Sequence, residues 1–225
     1  MTILSKKKAM FLAGALSVLP FQNAMAVNGF NFGNHVQENY KQGSHAYTLI
    51  AVDEKNKLAQ EFIQNIGVQA VAFLGDDNLS KDQKAEKFRT LLSGSFSMRT
   101  IGRFTMGRHW RAASKEQKAE YLDLFEDMVI NVYAERFSDY EGQGFDVVSS
   151  RADGKRDFLV SSYIVRANGS KIKLDWRLRH KNDQYKVIDI IVEGVSMSLT
   201  QRSDFSSVIQ RGGGNIDVLL DHLRK

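Results

Sequence analysis

The chain of 225 residues contains no cysteine and only one proline. Without a thiol it can form no disulfide, thiolate nucleophile or cysteine-ligated zinc site, so a hydrophobic core must hold the fold together. The single proline, Pro20, lies close to the N-terminus, which leaves the rest of the chain free to form long helices and strands. No segment approaches the roughly 20 uncharged apolar residues of a transmembrane helix, so we predict a protein that does not span a membrane.

The first 26 residues have the three parts of a cleavable secretory signal peptide. Lys6 to Lys8 form a positive region, Ala9 to Phe21 form an apolar run, and Ala24-Met25-Ala26 supplies the small residues of a cleavage site. An N-terminal membrane anchor is the alternative, but the apolar run is short for a permanent span. No cysteine follows the run to accept a lipid. We therefore predict export as a soluble protein.

Removal of residues 1–26 would also change the charge of the protein. That segment carries three lysines and no acidic residue, so the formal net charge would fall from +5 to +2. Binding to nucleic acid requires a clustered basic face rather than a high overall pI. We therefore predict no nucleic-acid partner.

Helical periodicity fills the first half of the predicted mature chain. Residues 27–52 are rich in Asn and Gly and are predicted to form a flexible lead-in. Beyond them, apolar residues recur at helical spacing. Two capping boxes, Ser80 with Gln83 and Ser114 with Gln117, mark helix starts. The predicted helices cover about 53–73, 80–92, 98–104 and 114–137.

From Gly142 onward the period of the apolar residues changes to two, which predicts strands. Helices followed by consecutive antiparallel strands define an α+β fold, with the helices over one face of a curved sheet. We predict one domain over 53–225, with a helical part at about 53–140 and the sheet with two C-terminal helices at about 141–225. The last strand is apolar on both faces and should be central or covered on both sides. The predicted strands are 145–150, 158–166, 171–180 and 185–192, with hairpin turns at Asn168-Gly169 and Asn182-Asp183.

Few residues have the pattern of a catalytic or metal site. The five histidines are scattered, without the helical spacing of a metal site. Asp175 lies on the charged face of its strand and is predicted to be solvated. Asp189 lies in an otherwise apolar strand, with Val187 and Ile191 on its own face. It is either a structural hydrogen-bonding or ion-pairing residue, with Arg202 as one candidate partner, or the general base of an isomerase in a conical pocket. The structural role is favoured.

Large apolar side chains come from several predicted elements at once. They form either an ordinary filled core or, in part, the wall of a lipid pocket, and composition does not separate the two. The candidate wall residues are Phe104, Trp110, Phe125, Met128, Val132, Tyr163, Trp176, Val187, Ile190 and Phe205.

Two longer motifs are more specific. Residues 185–197 read Tyr-Lys-Val-Ile-Asp-Ile-Ile-Val-Glu-Gly-Val-Ser-Met and lead to Arg202 and Phe205. Upstream, Gly107-Arg108-His109-Trp110 is followed by Ala113-Ser114-X-X-Gln117. In this order, and behind an export signal, the motifs resemble the MlaC family of periplasmic phospholipid-shuttle components, also described as toluene-tolerance proteins. The chain departs from the family pattern at Tyr185, where Trp is common, and at Thr200-Gln201.

The resemblance implies an NTF2-like α+β fold, in which helices with an added N-terminal part wrap a curved antiparallel sheet and enclose an apolar pocket. It implies phospholipid as cargo, no other cofactor, no metal and no enzymatic activity, with Asp189, Gly194 and Arg202 as structural residues. It also implies a periplasmic shuttle between an inner-membrane MCE-protein/ABC transporter complex and an outer-membrane lipoprotein complex. A hopanoid-linked lipid-binding protein of the same family is the alternative.

Overall fold

A computed structural model describes residues 44–225, with side chains described from Asp53 onward except that of Ser138. The predicted signal peptide at 1–26 and residues 27–43 of the predicted lead-in lie outside the described residues. Residues 52–225 form one compact unit, which the following paragraphs describe by itself.

Two helices of the described chain begin at the predicted capping boxes. The side chain of Ser80 accepts a hydrogen bond from the backbone of Gln83, and Ser114 does the same with Gln117, so both predicted helix starts are confirmed. The helices are α1 (Ser44–Leu74), α2 (Lys81–Ser95), α3 (Met98–Met106), α4 (His109–Ala112), α5 (Lys115–Ala134), α6 (Met197–Arg211) and α7 (Asp217–Leu223).

The main differences from the predicted helices are two boundaries and one additional helix. α1 begins at Ser44, inside the predicted lead-in, because residues 44–52 contain neither Gly nor Pro and can continue the helix. The short helix α4 was not expected. α5 ends at Ala134 rather than near Phe137, which lies in a 3-10 turn and is buried against the rings of Phe73 and Phe88.

Five antiparallel strands form one sheet in sequence order, β1-β2-β3-β4-β5, which confirms the predicted α+β class. The turn between β3 and β4 is the expected one, with Asn182 and Asp183 both at positive φ. An unpredicted hairpin pairs Asp153 with Asp157 and lengthens the first strand. The strands are β1 (Gly144–Asp153), β2 (Asp157–Val165), β3 (Lys171–Lys181), β4 (Gln184–Val192) and β5 (Val195–Ser196).

The buried apolar residues form two separate clusters. The first, here the sheet cluster, joins the inner face of the sheet to α1 and α2, and the second, the helical cluster, joins α3, α5, α6 and α7. The sheet cluster comprises Ala59, Ile63, Ile66, Phe73, Leu91, Phe158, Val160, Leu174, Trp176, Leu178 and Val187. The helical cluster comprises Met106, Ala113, Tyr121, Phe125, Phe205, Ile209, Ile216, Leu219 and Leu220.

The two clusters meet at the link between α2 and α3, which we call the seam and define as residues 96–98. Ser97 donates its backbone N–H to the carbonyl of Val187 on β4, at 2.9 Å. Phe96 packs its ring edge-on against Trp176 of the sheet cluster, whereas Met98 packs against the helical cluster. β4 pairs with β3 along one edge, and its other edge is covered by the seam and by the short strand β5.

Candidate functional site

The structure divides the ten predicted wall residues instead of gathering them on one surface. Trp176, Val187 and Ile190 lie in or against the sheet cluster; Trp110, Phe125, Met128 and Phe205 lie in or against the helical cluster; Phe104, Val132 and Tyr163 lie in neither. The group in the helical cluster is the largest that the fold brings together.

The three remaining candidates have other surroundings. Phe104 is 42% exposed, and the guanidinium of Arg202 lies over its ring at 5.1 Å from the centroid. Tyr163 lies on the outer face of the sheet, where the ammonium of Lys171 is 5.7 Å from its ring centroid. Val132 is half-buried on α5. These side chains do not extend the apolar interior of the helical cluster.

Three aromatic rings form the centre of the helical cluster. Tyr121 stacks on Phe125 with centroids 5.8 Å apart, and Phe205 meets both rings edge-on at 5.9 and 6.1 Å. The Tyr121 hydroxyl is hydrogen-bonded to that of Thr105 on α3 at 2.8 Å, and burial raises the pKa of Tyr121 above its ordinary value. The tyrosine therefore remains neutral and fastens α3 to α5.

α3 also approaches α5 closely at a glycine. A Cβ atom added to Gly102 would lie 2.7 Å from Cδ2 of Leu122, closer than side-chain atoms normally approach. The two helices therefore pack directly against each other, with no room between them for a ligand.

A cleft lies at each end of α3. The Gly107 cleft, at the C-terminal end, has a volume of about 220 Å³, and the Phe96 groove, at the N-terminal end, has about 320 Å³. The nine residues of α3 separate them by about 13 Å, at about 1.5 Å of rise per residue. The Gly107 cleft is lined by Met106, Gly107, Arg108, His109, Arg202, Ser206 and Gln210, and the Phe96 groove by Ser93, Phe96, Ser97, Met98, Arg99, Glu126 and Lys186.

The Gly107 cleft joins a polar rim to the apolar interior. Met106, which is almost completely buried, belongs to the helical cluster and also lines the cleft. Partial burial, together with the nearby charge of Arg108, lowers the pKa of His109, so its ring is neutral at pH 7. No motif in the sequence predicts this cleft, and the signal that points to it is the presence of four arginines and no acidic residue in residues 98–113.

A β-bulge corrects the predicted position of Asp189. The register of β3 and β4 shifts between Arg177 and Leu178, so that Val187 pairs with Leu178 while Asp189 pairs with Arg177. Val187 therefore faces the sheet cluster and Asp189 faces the opposite side, whereas strict alternation had predicted the same face for both. Asp189 is 8% exposed and accepts hydrogen bonds from the Ser196 hydroxyl at 2.6 Å and the Ser198 N–H at 3.0 Å.

Asp189 thus caps the start of α6 and has no hydrogen bond to Arg202 among its described contacts.

The side chain of Asp175 was predicted to be solvated, but it is buried. It is 8% exposed, accepts a hydrogen bond from Ser161 and lies 3.1 Å from the ammonium of Lys173. Gly194 lies in the turn from β4 to β5 with φ of +84°, a conformation that favours glycine.

Replacement of Asp189 by alanine is expected to lower the free energy of unfolding by about 1–3 kcal/mol, because two donors at the start of α6 lose their acceptor. Urea denaturation measures this change. Asp77→Ala is the matched control, since Asp77 is exposed in the turn after α1 and should change stability by less than about 0.5 kcal/mol. Equal stabilities of the two variants would show that Asp189 has no structural role.

Two further properties of the described residues bear on function. Within residues 44–225, no helix is both long enough and apolar enough to cross a membrane. The described side chains also contain no group of three or more His, Asp or Glu residues arranged to hold a metal ion.

The fold of this chain, an antiparallel sheet covered by helices, is similar to that of one solved phospholipid-binding protein. The phospholipid-binding protein from Ralstonia solanacearum, solved in complex with a phospholipid, matches with a TM-score of 0.65 and 26% identity, over 74% of this chain and 94% of that one. The model of the MlaC protein family matches residues 64–225. The chain therefore belongs to the MlaC family.

Two curated relatives agree with this assignment. The intermembrane phospholipid transport system binding protein MlaC of Haemophilus influenzae is 24% identical over 128 residues, which cover 55% of this chain and 59% of that protein. The toluene tolerance protein ttg2D of Pseudomonas putida is 25% identical over 114 residues, which cover 51% and 53%. The chain thus spans little more than half the length of these relatives.

Proposed function

We propose that this protein binds a phospholipid and carries it through the periplasm. The observation that carries the proposal is the similarity to a protein solved with a phospholipid bound, which extends over 94% of that protein's chain. The predicted signal peptide at residues 1–26 supports an exported protein, and the family membership supports a role in lipid transport.

A carrier must shelter acyl chains from water. Burial of each methylene contributes about 0.8 kcal/mol of transfer free energy from water. An apolar site for a chain of about 16 carbons must therefore supply more than about 10 kcal/mol. Ligand sites for molecules of this kind measure about 300–1,000 Å³. The Gly107 cleft is smaller than this range and the Phe96 groove lies at its lower end, so neither holds a complete phospholipid.

We therefore assign the acyl chains to the helical cluster, beneath α3. Both clefts lie at the ends of this short helix, and movement of α3 away from α5 would join them into one channel lined by Trp110, Phe125, Met128 and Phe205. The contacts that must open are those of Gly102 with Leu122 and of Thr105 with Tyr121. Trp176, Val187 and Ile190 would remain behind the seam in the sheet cluster.

Transport of lipid through the periplasm also requires partners that load the lipid onto the protein and unload it. We propose an inner-membrane MCE-protein/ABC transporter complex and an outer-membrane lipoprotein complex, as the family resemblance implies. The relative from Haemophilus influenzae, named as part of an intermembrane phospholipid transport system, supports this proposal.

Binding without catalysis is the better-supported activity. Both carboxylate oxygens of Asp189 accept hydrogen bonds from residues at the start of α6, and the side chain lies on the face of the sheet opposite the sheet cluster. A general base for a ligand in the apolar interior would have to face that interior. The phospholipid in the Ralstonia solanacearum protein also favours phospholipid over hopanoid as the cargo.

The test is lipid capture by the exported chain. Protein purified without detergent should yield phospholipid on solvent extraction and mass spectrometry. After delipidation it should remove labelled phospholipid from vesicles of phosphatidylethanolamine and phosphatidylglycerol, which centrifugation then separates from the protein. Hopanoid-containing vesicles provide the comparison. Absence of both co-purified phospholipid and uptake would refute the proposal, and selective uptake of hopanoid would assign the other cargo.

A further inference from the structure

Two exposed arginines, Arg108 and Arg202, line the Gly107 cleft. Arg89, Arg177, Arg179 and Arg224 each form an ion pair with a carboxylate. Among the described side chains, no Asp or Glu pairs with Arg108 or Arg202; the contacts of these arginines are with His109 and Phe104. The cleft thus holds two guanidinium groups whose charge no described carboxylate neutralises.

Arg202 has two neighbours beside the cleft. Its guanidinium lies over the ring of Phe104 on one side, and on another it lies against the backbone of Gly107. Gly107 has φ of +59°, and a Cβ atom added there would lie 2.9 Å from Nε of Arg202. The glycine therefore permits the close approach of the Arg202 side chain, which remains exposed and accessible to a ligand.

The remaining polar groups of the cleft suit the same type of ligand. Ser206 and Gln210 extend the rim along α6, with Gln210 Nε2 3.4 Å from the Ser206 hydroxyl, and no acidic side chain lines the cleft. Guanidinium, hydroxyl and amide N–H groups together form a set of donors for an oxyanion. A guanidinium group binds phosphate oxygens especially well, because its planar fork of N–H groups matches the geometry of a phosphate.

We propose that the Gly107 cleft binds a phosphate group through Arg108 and Arg202, and that in the carrier this group is the phosphodiester of the phospholipid. The inference rests on the proposed function, because acyl chains beneath α3 would leave the headgroup at its Gly107 end. Met106 connects the cleft floor to the helical cluster, so a phosphate here is next to the assigned acyl-chain site. Free phosphate has the same chemistry, and the experiment separates the two sources.

The experiment compares Arg108→Gln and Arg202→Gln with Arg111→Gln, an exposed arginine of α4 that does not line the cleft. Uptake is measured from vesicles that contain either labelled phosphatidylglycerol or labelled diacylglycerol, which lacks the phosphate. Each cleft variant should bind phosphatidylglycerol about tenfold more weakly, as expected for loss of a charge-assisted hydrogen bond, with diacylglycerol binding unchanged. Arg111→Gln should change neither affinity by more than about twofold.

Two additions keep the result interpretable if a variant folds poorly. Arg202→Lys keeps the positive charge but loses the planar donor pair, so it should have an intermediate affinity for phosphatidylglycerol. Inorganic phosphate, titrated into the delipidated wild type by calorimetry, should bind and should compete with phosphatidylglycerol. Circular dichroism verifies that each variant has the wild-type fold.

The possible outcomes are distinct. Equal loss of phosphatidylglycerol and diacylglycerol binding, or no loss of either, would overturn the proposal. Loss of inorganic phosphate binding alone would overturn the lipid headgroup as the source and leave free phosphate as the ligand. A wild type that takes up neither lipid would refute the carrier function, while the phosphate titration would still test the cleft.

Discussion

A disulfide between α3 and α5 is expected to reduce phospholipid uptake about tenfold or more, since it would prevent the proposed movement of α3 away from α5, and reduction should restore uptake. The chain has no cysteine of its own, so Gly102→Cys combined with Leu122→Cys would introduce a single defined pair. A Cβ atom at position 102 lies 2.7 Å from Cδ2 of Leu122, so the two positions face each other across the contact of α3 with α5. Uptake by the oxidised and reduced forms of the same variant gives the comparison.

A second disulfide provides the matched control. Gly144→Cys combined with Val165→Cys would join β1 to β2, where a Cβ added to Gly144 lies 3.7 Å from that of Val165, a normal separation for a disulfide. This cross-link lies within the sheet and leaves α3 free, so oxidation should not change uptake. If oxidation of the α3–α5 pair also leaves uptake unchanged, the acyl chains do not enter beneath α3.

Truncation of Phe205 to alanine is expected to lower the free energy of unfolding by about 3–5 kcal/mol, the usual cost of removing a buried aromatic ring. The ring is only 2% exposed and contacts both Tyr121 and Phe125, so its removal leaves a cavity at the centre of the helical cluster. Urea denaturation, followed by tryptophan fluorescence and circular dichroism, measures the change.

Phe104→Ala is the control for this measurement, because Phe104 is 42% exposed and its removal should cost less than about 1.5 kcal/mol. A cost below about 1 kcal/mol for Phe205→Ala would mean that the helical cluster is loosely packed. Such a cluster could admit an acyl chain without movement of α3, so the result would also change the proposed route of entry.

Local signals in the sequence predicted much of the fold. Ser80 and Ser114 start helices because a side chain three residues on completes each cap, and this requires no information from elsewhere in the chain. The turn at Asn182-Asp183 and the alternation along β3 are equally local. The two longer motifs also predicted membership of the MlaC family, which the match of the family model to residues 64–225 confirms.

Non-local features were not predictable in the same way. Periodicity identifies Phe125 and Trp176 as buried residues, but it does not reveal that the seam separates them into different clusters. The β-bulge before Asp189 cannot be recognised in the sequence, because the residues around it are all apolar. Strict alternation therefore placed the Asp189 carboxylate on the same face as Val187, which is wrong. The contact of Arg202 with Gly107 depends on how α6 returns to α3, which only the three-dimensional structure shows.

The backbone hydrogen bond from Ser97 to Val187 also protects the outer edge of β4 from pairing with other chains. A strand at the margin of a sheet offers unpaired backbone groups to any other chain, and nascent aggregates grow by such pairing. On β4 these groups are occupied at Val187 by the seam and at Ile191 and Val192 by β5. Because Ser97 precedes α3, the proposed movement of this helix would leave the bond intact. Release of a lipid by that movement would therefore not expose the edge of β4 as a template for fibre growth.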